Sequence, residues 1–323
     1  MSNIFKDEIV PFIKEKYDGV IKENDKDIIA PYVADIYVPE YNFVIVYEDL
    51  LYNSIGCHDT IKELNAYSDA QLRRDLKKKN KNILHTCRSK DINLFIIWEN
   101  ELANDKIKDI WKSMILNKLD RSEHKYYARA CEIKELDPTT ARLFFEENHI
   151  QGNTPSVVKL GLYKDGELIS ALSMGKPRYN KAFGWEIIRF CSKKYCNNVG
   201  AGNKLFKYFI DKYSNGENVI TYANSRWSTQ GAFYQELGFE PKDDSQENYF
   251  YFKEDELTLR PRIRFQKHRL PNVLPKFDPE MTEMENVMFL NRVPLEEEGK
   301  SKSMYRQIYD SGNICLHYIQ KSE

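Results

Sequence analysis

No apolar run in this sequence approaches the roughly 20 residues needed to cross a bilayer. The opening MSNIFKDEIVPFIKEKY contains no apolar core of a secretory signal. Membrane insertion and export are thereby set aside, and a cytoplasmic protein with no membrane partner is expected. Cysteine is sparse. Its six copies, at 57, 87, 131, 191, 196 and 315, are scattered. Cys191 and Cys196 have four residues between them, but no second pair and no nearby His completes a zinc site. Reduced thiols are expected in that compartment. Internal repeats and low-complexity tracts are missing, and so is any large excess of charge, the net value being −1. What is present is 41% hydrophobic and 30% charged residues over 323 positions, enough for two folded units, each with its own core.

The small net charge conceals local asymmetry. One basic cluster runs from Arg73 to Lys90, with Arg73, Arg74, Lys77, Lys78, Lys79 and Lys81 at its centre. A second runs from Arg260 to Arg269 and carries Arg260, Arg262, Arg264 and Lys267. Clustered Lys and Arg neutralise phosphates and give salt-dependent affinity that ignores base sequence. Double-stranded DNA is the partner these clusters suggest. A solvated helix face is the plainer explanation of either cluster alone.

Periodicity predicts a helix over 4–17, strands over 35–38 and 43–47 with a turn between, and a basic helix over 69–88. The apolar run Ile92–Trp98 reads as a buried strand, and 105–119 as an amphipathic helix. Asp120–Tyr127 is polar and reads as a connector between units over 1–120 and 128–323. The second unit begins with a helix over 138–148, N-capped by Asp137 with Pro138 in its first turn. A hairpin over 157–174 turns at Lys164-Asp165-Gly166, and a strand over 185–190 follows. Then come a glycine turn at Gly200, a helix to Tyr213, a strand over 219–223, a helix over 229–237 and a strand over 249–252. A final hairpin over 305–318, turning at 310–313, completes the reading. The fold class is α/β, of the α+β kind, in two units.

A metal-dependent nuclease needs carboxylates converging at a strand end, because oxygen ligands suit Mg²⁺. The candidates are Glu8 on the first helix, Asp35 on the first strand, and Glu48 and Asp49 just past the second. The segment DIYVPEYNFVIVYEDLLYNS, followed by Cys87 and INLFIIWENEL, resembles the metal-binding hairpin of phage homing endonucleases that have a very-short-patch-repair-like nuclease domain, of restriction-endonuclease-like fold. The resemblance departs at several points. The family's strand glutamate falls on Val46, its Asn-Gly pair on Glu48 and Asp49, its histidine on Asn53, and its lysine on Ile83, with Lys81 nearby. Glu48 lies two residues from Val46, on the same strand face, and stands as the substitute. His58 stands in the same way for the histidine. The resemblance therefore implies an endonuclease of homing type with Mg²⁺ on Asp35 and Glu48, and Glu8, Asp49 and His58 completing a catalytic set.

The second half carries VGAGNKLFKYF at Val199–Phe209 and YANSRWSTQGAFYQELGF at Tyr222–Phe239. Small residues opening a helix leave its first N–H groups accessible to a phosphate. Together with GLYKDGELISALSMGKPRYNKAFGWEIIRFC and IYDSGN, these pieces resemble the GNAT-like domain attached to such nucleases and the Mom-like DNA-modifying acyltransferases. That implies acyl-CoA contacts at Gly200, Gly202 and Asn203, with Tyr234 beside the leaving thiolate. Asn224 stands where the family usually has Asp, and no basic residue precedes the glycine turn. The expectation is a retained fold with a compromised acetyl-CoA site. Arg178, Arg189 and Arg226, with Trp227, offer a DNA-contacting surface instead, and Arg189 alternatively pairs with Glu186. Two competing functions follow, an acyltransferase acting on DNA or another amine, and a catalytically dead DNA-binding or inhibitor protein.

Overall fold

The computed structural model describes residues 3–56, 67–294 and 301–320, excepting the side chains of 67–70 and 72. Its strands fall mainly into two sheets. The first holds Lys22–Asp25, Ala34–Val38, Phe43–Glu48 and Asn93–Trp98 in chain order. The last two run parallel, with Phe43 beside Asn93 and Glu48 beside Trp98. Both are apolar along nearly their whole length because both faces of this sheet are covered. On one face pack the helical segments Phe5–Lys16 and Asp105–Lys118, through Phe5, Ile9, Ile13, Trp111 and Ile115. On the other lies the helix Tyr67–Ser89, through Ile83, Leu84 and Cys87.

The second sheet has seven strands, in the order Glu240–Asp244, Asn313–Tyr318, Val219–Asn224, Trp185–Ser192, Glu167–Gly175, Val158–Lys164, Glu132–Glu135. Every neighbouring pair is antiparallel except Trp185–Ser192 with Val219–Asn224. The helix Ala201–Tyr213 covers one face through Leu205, Phe206 and Phe209. The helix Pro138–Asn148 covers the other through Ala141, Phe144 and Phe145. Its start follows from local chemistry, since Asp137 accepts hydrogen bonds from the Thr139 and Thr140 N–H groups. The hairpin at Asp165-Gly166 turns tightly because both residues take positive φ, 51° and 84°.

Two sequence expectations differ from this arrangement. The segment read as a connector forms the strand His124–Tyr127, paired in parallel with Cys196–Val199. The expected C-terminal hairpin is not a hairpin. Arg306–Tyr309 pairs with Tyr249–Phe252 in a small three-stranded sheet, whereas Asn313–Tyr318 enters the seven-stranded one. The turn signal Asp310-Ser311-Gly312 is real, but it passes the chain between sheets. Asp310 accepts from the N–H groups of Asn248 and Gly312 there. The stretch between Asp244 and Asn313 therefore leaves the large sheet. It packs on the first one through Phe252 and Ile308 and has a core of its own around Tyr251, Phe265 and Leu270.

A buried clasp is among the contacts that join the sheets. Arg226 forms a buried bidentate pair with Glu101, at 2.9 and 2.7 Å, and stacks on Trp98 at 4.2 Å. The Ile96 N–H donates to the Arg226 carbonyl and the Leu94 N–H to Thr229 Oγ1. The loop after Val219–Asn224 thereby covers the open edge of Asn93–Trp98, removing an unpaired strand edge. Arg226 is an interior group in this clasp, and Trp227 is half-buried at the cavity.

Candidate functional site

The carboxylates at the end of the first sheet are each engaged within the protein. Asp35 accepts from the Tyr47 N–H at 2.8 Å, and burial raises its pKa. Glu48 is fully buried and ion-paired to Lys79 Nζ at 2.9 Å, without hydrogen-bond alignment. Burial raises its pKa too, and Lys79 opposes the shift. Lys79 also donates to Asn53 Oδ1 at 2.6 Å, so an ammonium supplies the positive charge at this strand end. Asp49 caps the following turn by accepting from the Tyr52 N–H. Glu8 sits with the helices on the opposite face of the sheet and pairs with Lys108 at 2.8 Å. His58 lies outside the described residues. Among the described residues, no three His, Cys, Asp or Glu side chains are grouped to hold a metal ion.

Several residues of the two basic clusters serve the fold. Arg73 contacts Met284 Sδ, Arg74 bonds Gln71, Lys81 reaches Glu247 and Ser245, and Arg260 pairs with Glu256. Arg262 lies 3.8 Å from Glu283. Lys77, Lys78, Arg264 and Lys267 are exposed.

The second sheet contains an opening. The parallel strands pair at Trp185 with Val219, Glu186 with Ile220 and Ile187 with Thr221, and the pairing stops there. A register shift opposite Ser173 and Met174 leaves Ile188 as a bulge at that point. Beyond it the strands part, and the edge of Ile188–Ser192 facing Val219–Asn224 has no strand partner. A splayed parallel pair is what the GNAT-like resemblance in the sequence implies for this unit.

A cavity of about 1150 Å³ occupies the gap. One wall is the strand edge from Glu186 to Ser192, and another is Phe233, Tyr234 and Leu237. The first sheet's unit contributes Phe95, Ile110, Met114 and Lys118. At one end the helix Ala201–Tyr213 begins at Gly200, whose φ of 76° suits glycine and which has no side-chain cap. A Cβ at Gly200 would meet only Ala128, at 3.8 Å, so the first turn is open. Gly202 serves packing, since a Cβ there would lie 2.5 Å from Phe233 Cε2. Asn203 also lines the cavity. Asn198 Oδ1, on the wall leading to the turn, is buried without a hydrogen-bond partner.

Tyr234 lines the cavity with its pKa raised by burial, while Thr221 and Arg189 act in the opposite direction. Asn224 Oδ1 accepts from the Arg226 N–H, which makes it a turn cap. Glu186 is fully buried and pairs with Arg178, not Arg189. It accepts from Arg178 Nε at 3.1 Å, Nη2 at 2.8 Å and the backbone N–H at 2.9 Å. Arg189 lies three residues along the same strand, whereas Arg178 reaches Glu186 from the preceding loop.

No family model matches the chain and no curated protein matches it. Solved structures do. A GNAT family acetyltransferase from Elizabethkingia anophelis with acetyl-CoA bound is 16% identical, covering 59% of this chain and 99% of that one, with a TM-score of 0.32. An acetyltransferase from Bacillus subtilis in complex with CoA is 11% identical over 59% and 99%, at 0.31. An IAA acetyltransferase from Bacillus cereus is 14% identical over 58% and 97%, at 0.29. The homing-endonuclease reading, with its phage setting, is overturned. At the strand end where that reading put Mg²⁺ the charge is supplied by Lys79, Glu8 is paired with Lys108 on the opposite face, and the described residues group no metal-holding carboxylates there. No helix among the described residues is long and apolar enough to cross a membrane.

Proposed function

We propose that the chain is an acyltransferase that binds an acyl-CoA in the splayed cleft and transfers the acyl group to an amine. The observation that carries this reading is the parting of Trp185–Ser192 from Val219–Asn224 past Ile187 and Thr221, inside a cavity that ends at an uncapped helix N-terminus. The residues present fit such a cofactor. The first-turn N–H groups of Ala201, Gly202 and Asn203 suit a pyrophosphate. The unpaired edge of Ile188–Ser192 and the orphaned Asn198 Oδ1 suit the amides of a pantetheine arm. When bound, the thioester supplies an acyl group already activated for attack.

The protein's own tasks follow from placement. Tyr234 holds its phenolic proton firmly and stands where a leaving thiolate needs one. Glu186 is held by Arg178 through three hydrogen bonds and shapes the wall, and the proton released by the attacking amine passes to water. The lack of an Asp at 224 removes nothing from this scheme, because Asn224 caps a turn. The division into units over 1–120 and 128–323 belongs to the proposal, the first unit serving to wall the cleft.

Calorimetry with acetyl-CoA tests the reading. Micromolar affinity, about −8 kcal/mol, is expected. Absence of saturable heat, for acetyl-CoA and for CoA alike, would end it.

A further inference from the structure

We infer that the acceptor end of the cleft reads an anionic group, a carboxylate or phosphate carried close to the acceptor amine, through Arg189 and the Nε2–H of His149. The inference rests on the acyl-transfer reading for the word acceptor, but the anion site stands on its own geometry.

Arg189 follows the bulge at Ile188, where the two strands have just separated. Its Nε donates to the Gly152 carbonyl at 3.1 Å and its Nη1 to the Ile188 carbonyl at 2.8 Å. Carbonyls satisfy N–H groups but leave the charge uncompensated. The buried carboxylate on the same wall, Glu186, is already held by Arg178 through three hydrogen bonds. Burial, and the nearness of Arg178, press Arg189 toward neutrality, with Tyr234 and Glu186 acting the other way from beyond hydrogen-bond distance. A guanidinium nevertheless stays charged in proteins. A half-buried cation with no carboxylate at contact distance carries a desolvation cost that a bound anion offsets.

His149 adds a neutral donor. Its Nδ1 accepts from the Gln151 N–H at 3.0 Å, so in the neutral ring the proton is on Nε2. Burial, with Arg189 adding to it, holds its pKa down to about 3. The ring is therefore a fixed donor and not a base near neutral pH. Both residues line the cavity, whose lining as a whole carries five basic and three acidic side chains. Arg189 also acts electrostatically on Tyr234, which puts the vacant positive charge at the reacting end. The helix start at Gly200–Asn203, suited to the cofactor's phosphates, is a separate part of the lining. The arrangement selects an amine that carries its negative group within a few bonds, as an amino acid or a phosphorylated amino sugar does.

The test uses the full chain and two simple anions, inorganic phosphate and acetate, titrated with and without saturating CoA. Trp227 lines the same cavity and reports binding by fluorescence. Saturable single-site binding is expected. It should weaken at least about tenfold, equivalent to roughly 1.4 kcal/mol, in Arg189→Gln and less in Arg189→Lys. CoA affinity by calorimetry should stay unchanged in both variants, and circular dichroism melts would show that both remain folded. No saturable anion binding in the wild type, or equal binding in Arg189→Gln, would overturn the inference. So would a tenfold loss of CoA affinity in that variant, which would assign Arg189 to the cofactor's phosphates. Failure of CoA to bind the wild type would instead remove the acyl-transfer reading and leave the anion result to stand or fall separately. With acetyl-CoA as donor, ethanolamine and O-phosphoethanolamine give the second readout. The expected outcome is that Arg189→Gln lowers kcat/KM for the phosphorylated amine alone. An equal loss for both would make Arg189 a stabiliser of charge on the reacting atoms and overturn the reading.

Discussion

The two sheets each end in a cluster of charged groups, and the clusters differ in whether their charges are already spent. At the end of Phe43–Glu48, Lys79 brings a counter-charge to Glu48, while Asp35 and Asp49 each accept a backbone N–H. At the splay of the second sheet, Arg189 is left with carbonyls, the strand edge past Ile187 has no neighbour, and the helix at Gly200 has no cap. Residue types that suggest chemistry are common to both places. What separates the two places is the space beside the charge: a lysine fills it at Glu48, whereas Arg189 opens onto the cavity.

The largest expected effect tests the clasp that holds the two regions together. Arg226→Ala leaves Glu101 buried without its partner and should cost about 3–5 kcal/mol in urea denaturation. A loss below about 1 kcal/mol, the level of a surface pair, would mean that water takes the place of the guanidinium. At the cleft, Tyr234→Phe removes the phenolic proton and little volume. It should lower kcat about a hundredfold with acetyl-CoA affinity unchanged, as read by thiol release and calorimetry. Equal kcat would give Tyr234 a packing role only, beside Phe233 and Phe239. Gly202→Ala pushes a methyl into Phe233 and should cost about 1–3 kcal/mol in thermal unfolding. If stability holds while CoA affinity falls, the glycine serves the ligand and not the helix contact.

The smallest effect concerns Glu48. A carboxyl whose folded pKa lies above its unfolded value binds its proton more tightly when folded. Its contribution favours folding at low pH and is lost as pH rises through the folded value. Burial raises Glu48 in this way. Glu48→Gln should therefore gain stability relative to the wild type as pH rises from about 4, the ordinary carboxylate range, toward neutral. A difference in melting temperature that stays flat across that span would show that Lys79 compensates the burial fully.

Much of the backbone was legible because its signals are local. The apolar runs Phe43–Val46 and Phe95–Trp98, the cap at Asp137 and the Asp165-Gly166 turn each act within a few residues. The glycine turn before the helix at Ala201 was legible in the same way. The pairings that decide function were not. Arg226 and Glu101 are 125 residues apart, and Lys79 meets Glu48 from another element. A carboxylate in sequence gives no sign of whether a lysine will fold onto it. The final strand misled for a related reason: the turn at Asp310–Gly312 has the chemistry of a hairpin, and only the strand neighbours show that its arms go to different sheets.

The position of Asn313–Tyr318 bears on how the protein is made. This strand lies inside the large sheet, between Val219–Asn224 and Glu240–Asp244, yet it is the last of the three in the chain. On a ribosome the two flanking strands emerge first and wait, with an unpaired edge facing each of them, while the segment that folds onto the other sheet is still being translated. The cleft unit reaches its final form only after residue 318 has left the exit tunnel. Until then its edges are open to pairing with other nascent chains, so synthesis rate and chaperone supply should govern its yield.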